Sequence, residues 1–564
     1  MDKFSDIKYI RPDIGTISKE FKIGLKNFKN AKSYDEAKKS YLDIEVISSE
    51  VQTMFTVAHI RSDMDKADRY YESEVRFMNG AMPKLMLLVQ KAGKALLDSP
   101  YKADFENEYG MQLIRLTEAA QKTISWKIIP EMIKEGNIQQ EYSKTAASCK
   151  VVFRGAECNF YGLLNHMEST DREERKEAFI AWAKLYEGIS DKLDRQYDKF
   201  VSLRTAMARK LKFPGYIEMV YMQKDRFNYS AGDVEKFREQ VKKHIVPVCV
   251  KLHDMQAKRL GIDKLKYYDE KLVFKEGNAI PHGSKDEMVR AAQTMYRELS
   301  KETGEFFDFM CSHELFDLET RPNKHLGGYC TFLPVYYAPF IFSNFNGTSA
   351  DVDVLTHEAG HAFEAFMASK SQPIMEYWGS TSEINEIHSM TMEHFTYPWM
   401  DRFFRDKADK YRFGHLSDAF MSIPYIVCVD DFQHKVFEDP KRMKAKQRRE
   451  LWHSLEKEYM PWRDYDSNEF LEGGGFWMQK QHIFLYPFYY IDYALAQICA
   501  FELYGRMQND KNAAWNDYLD LCKAGGSKGY FELLEIAHLH NPFIDGSVEA
   551  AVKFVTEELE RSGF

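Results

Sequence analysis

Apolar residues recur every 3.6 positions over long stretches of this chain, and no other feature narrows its fold as much. Residues 33–62, 171–211 and 230–261 each carry such a stripe for many turns, the mark of long amphipathic helices. The 17 prolines fall mostly between these segments, where they end helices rather than interrupt them. No low-complexity linker, internal repeat or Ser/Gly-rich hinge breaks the pattern. A mainly α protein is expected, with residues 1–150 as an N-terminal helical region and 151–564 carrying the chemistry.

Charge and composition exclude several classes. Lys and Arg number 77 against 86 Asp and Glu, a net charge of -9, with no basic cluster, so nucleic acid is not the expected partner. The opening MDKFSDIKYIRPDIG has neither an apolar core nor a small-residue cleavage site. No apolar run approaches the length of a membrane span. Eight scattered cysteines form no CxxC pair and are expected to be reduced. A cytoplasmic monomer is the expectation.

One region departs from the helical pattern. GGYCTFLPVYYAPFIFSNFNGTSADVD, residues 327–353, is rich in aromatic and β-branched residues and contains Pro334, Pro339 and Asn346-Gly347. These features predict a small antiparallel sheet with a tight turn, and the prolines demote its strand to an edge. An edge strand can hold an extended peptide by backbone pairing. Residues 338 to 346, with Ala338, Phe340 and Asn344 among them, are the predicted substrate-aligning segment.

The next segment, DVDVLTHEAGHAFEAF, places His357 and His361 four apart on one helical face, with Glu358 beside them. Two imidazoles at that spacing can point at one ion, and a neighbouring carboxylate can act on a water bound there. Val352, Leu355, Ala359, Phe363 and Phe366 form the opposing apolar stripe. Catalytic zinc takes three protein ligands and keeps a fourth position open, so a third ligand is required. Downstream, Ser380 and Glu383 read as a capping box opening a second helix. Glu386 then lies one turn inside it, and Glu393 is seven residues further along the same face. Glu386 is the predicted third ligand, while His388 and His394 compete from other faces. Glu393 or Asp353 is placed to accept a hydrogen bond from the free N–H of a ligand histidine.

HEAGHAFE followed by SEINEIHSMTME resembles the thimet oligopeptidase and oligoendopeptidase F family of zinc metallopeptidases. That family's HExxH is followed about 25 residues later by a glutamate ligand opening an ExxSxxxE-like run, matched here at Glu386, Ser389 and Glu393. The resemblance covers roughly residues 150 to 550. It implies His357, His361 and Glu386 as ligands of one Zn2+ and Glu358 as general base. It also implies two helical lobes enclosing a deep channel open to short peptides. The first 150 residues, which carry helical pattern and no motif, are expected to form much of the opposing lobe.

Near the C-terminus, LEGGGFWMQKQHIFLYPFYYIDYALAQICAFELYG carries three glycines, His482 and a tyrosine-rich helix. Pro487 suits a first helical turn and places the helix start near Tyr486, so that Tyr486, Tyr490 and Tyr493 share a face. Peptide hydrolysis needs a neutral donor aimed at a developing oxyanion, and a phenol with pKa of about 10 stays protonated at neutral pH. The same family is similar here, with a histidine followed by YxxxYxxY. In this chain the histidine-to-tyrosine spacing is one residue shorter than in the thimet oligopeptidase branch, and the glycines precede His482. The expected roles are Tyr486 or Tyr493 as oxyanion donor, His482 and Tyr490 on substrate, and Gly474 within a loop that closes over it.

Together these features predict a zinc oligoendopeptidase acting on short peptides. A peptidyl-dipeptidase or carboxypeptidase of the same architecture is the alternative, and it requires a cationic or amide anchor for the substrate carboxylate. A non-catalytic zinc-stabilised binding protein is disfavoured, because a structural site closes with a fourth ligand and has no use for Glu358.

Overall fold

Long helices form where the apolar period predicted them. The structure is a computed structural model and describes residues 1–563. Helices α1 (Ile14–Asn30), α2 (Tyr34–Met64) and α3 (Arg69–Leu97) open the chain. The Ser33 hydroxyl starts α2 by accepting the Glu36 N–H, and Asp171 starts α4 (Arg172–Lys210) by accepting that of Glu173. The predicted helix over 230–261 is interrupted: Ala231–Gln240 and Val246–Leu260 are joined through a π turn at Val241–Ile245. Pro247 supplies the reason, since it lacks an N–H and its ring displaces the carbonyl one turn back.

The chain divides into two compact units that alternate along the sequence. One comprises residues 1–124, 280–408 and 503–539, and the other 125–279, 409–502 and 540–564. Residues 1–124 therefore share a unit with the HExxH segment. Contacts within that unit are specific. The Asp63 carbonyl of α2 accepts the His325 N–H, and its carboxylate accepts the Tyr329 hydroxyl at 2.8 Å.

The second unit carries a short hairpin, β1 (Val151–Phe153) with β2 (Ala156–Cys158), turning through Arg154 and Gly155 at positive φ. The first unit holds a three-stranded sheet of β3 (Phe316–Glu319), β4 (Tyr329–Leu333) and β5 (Ala338–Phe345) in the order β3-β5-β4. It is mixed rather than antiparallel, because β3 pairs parallel with β5 while β4 pairs antiparallel. The β4–β5 turn runs through Pro334–Tyr337, with Tyr337 at φ 50°. Asn346-Gly347 is not that turn. It leads from β5 into the next helix, and Asp351 clamps it by accepting the Asn346 and Gly347 N–H groups. The predicted edge is also corrected. Strand β5 is central and paired on both sides, and β4 is an edge. The nearly continuous burial of β5 reads as a strand covered on both faces.

Six further helices complete the scaffold used below. They are α5 (Ala350–Ser371), α6 (Ser382–Phe395), α7 (Ala408–Glu438), α8 (Ala445–Tyr459), α9 (Tyr490–Asn509) and α10 (Lys511–Ala524). None of the helices among the described residues is long and apolar enough to cross a membrane. All eight cysteines are unpaired, as expected of reduced thiols.

Candidate metal and catalytic centre

Helix α5 buries the stripe that its sequence predicts: Val352, Leu355, Ala359 and Phe363 are fully enclosed, and Phe366 nearly so. The opposite side leaves His357 and His361 half-exposed with their rings 5.0 Å apart. Helix α6 lies against this face at unusually short range. A Cβ on Gly360 would sit 2.6 Å from the Ser389 Cα and 2.7 Å from the His388 carbonyl oxygen. Only glycine admits that approach, and the approach carries Glu386 to the two histidines.

The three predicted ligands converge. His357, His361 and Glu386 are the one group among the described residues whose donor atoms all lie within 4.8 Å of one another in metal-binding fashion. Glu386 Oε2 is 3.3 Å from His357 Nε2 and 3.5 Å from His361 Nε2. Donors about 2.0–2.2 Å from a tetrahedral zinc ion are separated by about 3.3–3.6 Å, so the group fits that ion. Burial pushes the Glu386 carboxyl up, but His361 and His357 outweigh it and hold it well below the usual carboxylate range. Burial likewise depresses His357, and its hydrogen bonds to Glu386 and Glu393 more than reverse that. A cation is the natural occupant of donors so arranged.

The surroundings fix the ligands' orientation. His357 Nδ1–H donates to Glu393 Oε1 at 2.5 Å, so Glu393 rather than Asp353 holds this imidazole. The Ser389 hydroxyl donates to Glu386 Oε2 at 3.0 Å. His388 and His394 stay outside the group. His388 is fully buried against Cys522 of α10, and burial, with His361 adding to it, lowers its pKa to about 3. His394 packs against Tyr397 and Tyr504. The predicted capping box is absent. Helix α6 begins at Ser382 after Thr381, and the Ser380 hydroxyl donates to the Gly525 carbonyl instead.

Glu358 is buried beside the histidines. Burial raises its pKa, while His357, His361 and the Cys330 backbone N–H pull against that rise. Cys330 belongs to β4, so the candidate base touches a strand on the edge of the sheet. Ala338 and Phe340 are fully buried on β5. The Asn344 amide donates to the His325 and Gly327 carbonyls at 2.8 and 2.7 Å, which pins the loop before β4. These three residues build the sheet, whose edge strands are β3 and β4, and of the two it is β4 that touches Glu358.

The second unit contains the His482 cluster. His482 lies 4.9 Å from the Tyr490 ring and 6.2 Å from that of Tyr493, and all three are half-exposed. Tyr486 departs from the predicted face. A short helix ends at Leu485, Phe488 takes φ 59°, and α9 starts only at Tyr490. Buried contacts impose the break: Gln433 accepts the Phe488 N–H at 3.1 Å, and Arg226 donates to the Phe488 carbonyl at 2.6 Å. Tyr486 is 54% exposed and lines a surface cavity beside Gly136 and Gln140. Gly474 is not a free hinge. It sits at φ 86° in a π turn where a Cβ would lie 2.0 Å from the Arg449 carbonyl oxygen of α8.

Sequence reasoning missed the β4 edge, Gly360 and the neighbours of His482. The glycine inside HEAGH is the signal that leads to Gly360, while the β4 edge shows only in the structure, where Tyr329–Phe332 are half-exposed. Tyr425 of α7, whose ring is 5.9 Å from that of Tyr490, is far away in sequence and left no signal.

Comparison with known proteins agrees with this geometry. Residues 4–124 match the family model of the peptidase M3 N-terminal domain, and residues 165–552 match that of peptidase family M3. Oligopeptidase PepF of Bacillus subtilis (strain 168) is 23% identical over 549 residues, spanning 90% of this chain and 78% of its own length. The solved structure of PZ peptidase A with an inhibitor is 44% identical and covers 99% of both chains at a TM-score of 0.94. A structure from Bacillus anthracis str. Ames assigned as an oligoendopeptidase F is 40% identical, covers 99% of this chain and 98% of its own, and gives a TM-score of 0.89.

Proposed function

This chain belongs to peptidase family M3 as an oligoendopeptidase F-like metallopeptidase, and on that premise we propose how its residues divide the work on a short peptide. The observation that carries the reading is the His357, His361 and Glu386 group with buried Glu358 beside it. These three residues would hold one zinc ion per chain. When bound, zinc supplies Lewis-acid polarisation of the scissile carbonyl and an acidified water.

Glu358 takes the proton of the attacking water and returns it to the leaving nitrogen, the role for which a buried, raised carboxyl is suited. Glu393 keeps the His357 imidazole turned so that Nε2 faces Glu386. Ser389 holds the third ligand from behind. Tyr493, with Tyr490 and His482 beside it, donates to the oxyanion that develops at the scissile carbonyl. This role falls to Tyr493, which stands on α9 with Tyr490, whereas Tyr486 precedes α9 and is 54% exposed although its ring lies 5.8 Å from that of His482. The free side of β4 pairs with the extended substrate and sets its register by backbone hydrogen bonds, so side-chain preference is loose.

The enclosed channel that the family resemblance implies would exclude folded proteins and admit peptides of about 5–20 residues, the length that strand addition favours. A peptide ladder incubated with the enzyme and followed by mass spectrometry tests this. Internal cleavage with a folded, protease-sensitive protein left intact is expected. Efficient digestion of the folded protein refutes the enclosed channel, and strict release of C-terminal dipeptides makes the enzyme a peptidyl-dipeptidase.

A further inference from the structure

Beside His482 the second unit holds two lysines over tyrosine rings, and only one of them is neutralised. Lys224 Nζ lies 4.6 Å from the Tyr489 ring centre and 3.7 Å from Asp492 Oδ2, a buried carboxylate that Arg226 also binds. Lys480 Nζ lies 4.6 Å from the Tyr490 ring centre and 5.4 Å from that of Tyr425. Among the described residues no carboxylate pairs with it. The two rings meet at 78° and form a corner in which the ammonium sits. Gln479 steadies one wall by donating to the Tyr425 hydroxyl, and the preceding Phe476, Trp477 and Met478 are buried, which fixes the Lys480 backbone.

A cation held on aromatic faces keeps its orientation, yet those faces accept none of its three N–H donors as a carboxylate does. The half-exposed Lys480 is thus a prepositioned positive charge, two residues from His482 and against the ring of Tyr490. We propose that Lys480 is the carboxylate anchor of the substrate site, binding the C-terminal carboxylate of a peptide or an acidic side chain near the scissile bond. The proposal rests on the reading that His482, Tyr490 and Tyr493 face substrate. It gives the enzyme a charge-reading subsite on a surface otherwise made of neutral hydroxyls and backbone. It also favours peptides whose C-terminus lies a few residues beyond the cleaved bond.

The test uses one peptide with a free C-terminal carboxylate, its C-terminal amide, and the amide carrying Glu or Gln beside the cleaved bond. Affinity is read on Glu358→Gln protein, whose turnover is expected to be lowered by at least about 10²–10⁴, and cleavage on wild type. The free acid is expected to bind about 10- to 100-fold more tightly than the amide, the ratio for a hydrogen bond to a charged group. In the Glu358→Gln background, Lys480→Met keeps the apolar stem on Tyr490 and should erase that ratio. Lys480→Arg, which folds with the same charge, should restore most of it. If the Glu amide regains affinity over the Gln amide, acidic side chains use the subsite as well; if only the free acid is favoured, the source is the chain terminus. Equal affinity for all four peptides overturns the anchor, as does discrimination that survives Lys480→Met. Discrimination without any cleavage by wild type overturns the peptidase reading and leaves the anchor standing.

Discussion

Gly360→Ala puts the packing that assembles the metal site under direct strain. The new Cβ meets the Ser389 Cα at 2.6 Å, the His388 carbonyl oxygen at 2.7 Å and the Met392 Cβ at 3.0 Å. Carbon atoms rest at about 3.5–4.0 Å, so α6 has to withdraw by about 1 Å. Two of those atoms are backbone, which leaves no rotamer through which the clash can relax. Glu386 lies one turn before Ser389 and moves with it, away from imidazole nitrogens that now sit 3.3 and 3.5 Å from its carboxylate. Ligand distances tolerate only about 0.2 Å of error, so coordination suffers more than folding does. Overpacking costs about 1–3 kcal/mol, and replacing a mid-helix glycine returns about 0.5–1 kcal/mol, for a net loss of about 0–2.5 kcal/mol. A zinc competition titration should show affinity lowered by about tenfold or more, an effect of about 1.4 kcal/mol, with helical circular dichroism unchanged. Gly188→Ala in α4, where a Cβ meets nothing within 4 Å, is the matched control and should leave zinc binding alone. Zinc affinity of Gly360→Ala within threefold of wild type would refute the claim that this contact sets the ligand geometry.

Three other outcomes follow from named contacts. Glu393→Gln weakens the acceptor for His357 Nδ1 and should lower zinc affinity about 10- to 100-fold in the same titration, and no change would mean the hydrogen bond does not orient the ligand. Tyr493→Phe should lower kcat by about 10²–10³ with KM nearly constant, whereas Tyr486→Phe, on an exposed side chain outside α9, should stay within about threefold; the reverse order would restore Tyr486 as the donor. Burial, then the neighbouring Glu376 carboxyl, pushes the Glu45 carboxyl well above the usual carboxylate range. Because its pKa then lies above the unfolded value, the folded protein holds the extra proton, and stability falls as pH rises above the ordinary carboxylate range. Denaturant melts at pH 6 and pH 9 should show this slope flattened by Glu45→Gln, and an unchanged slope would assign it to other groups.

The helical body was legible because an apolar stripe of 3.6 period must be buried whatever the chain's topology. The metal group was legible for the same reason. Helical geometry puts the two histidines four apart on one face and Glu386 one turn into the next helix, and only the Gly360 contact that joins the two helices lies beyond it. What escaped depends on contacts between distant segments. The prolines at 334 and 339 point to an edge strand, yet β3, which covers the other side of β5, comes from residues 316–319 with no hairpin to announce it. The late start of α9 is set by Gln433 and Arg226, neither of them near Tyr486 in sequence. The glycines at 473–475 suggested a mobile loop, but Gly474 is required by the Arg449 backbone pressed against it. Ser380 had the right spacing for a capping box and lost its hydroxyl to Gly525, a residue brought close only by the fold.

The central claim, that buried Glu358 serves as the general base beside a His357, His361 and Glu386 zinc site, is tested most directly by Glu358→Gln with zinc content and peptide turnover measured on the same preparation. Gln keeps the size and most contacts of the side chain while removing its capacity to take a proton. The account predicts one zinc per chain in both proteins and internal peptide cleavage lowered by at least about 10²–10⁴ in kcat in the variant, with KM little changed. Turnover within tenfold of wild type at full zinc occupancy would contradict it, because the proton would then be carried by some other group.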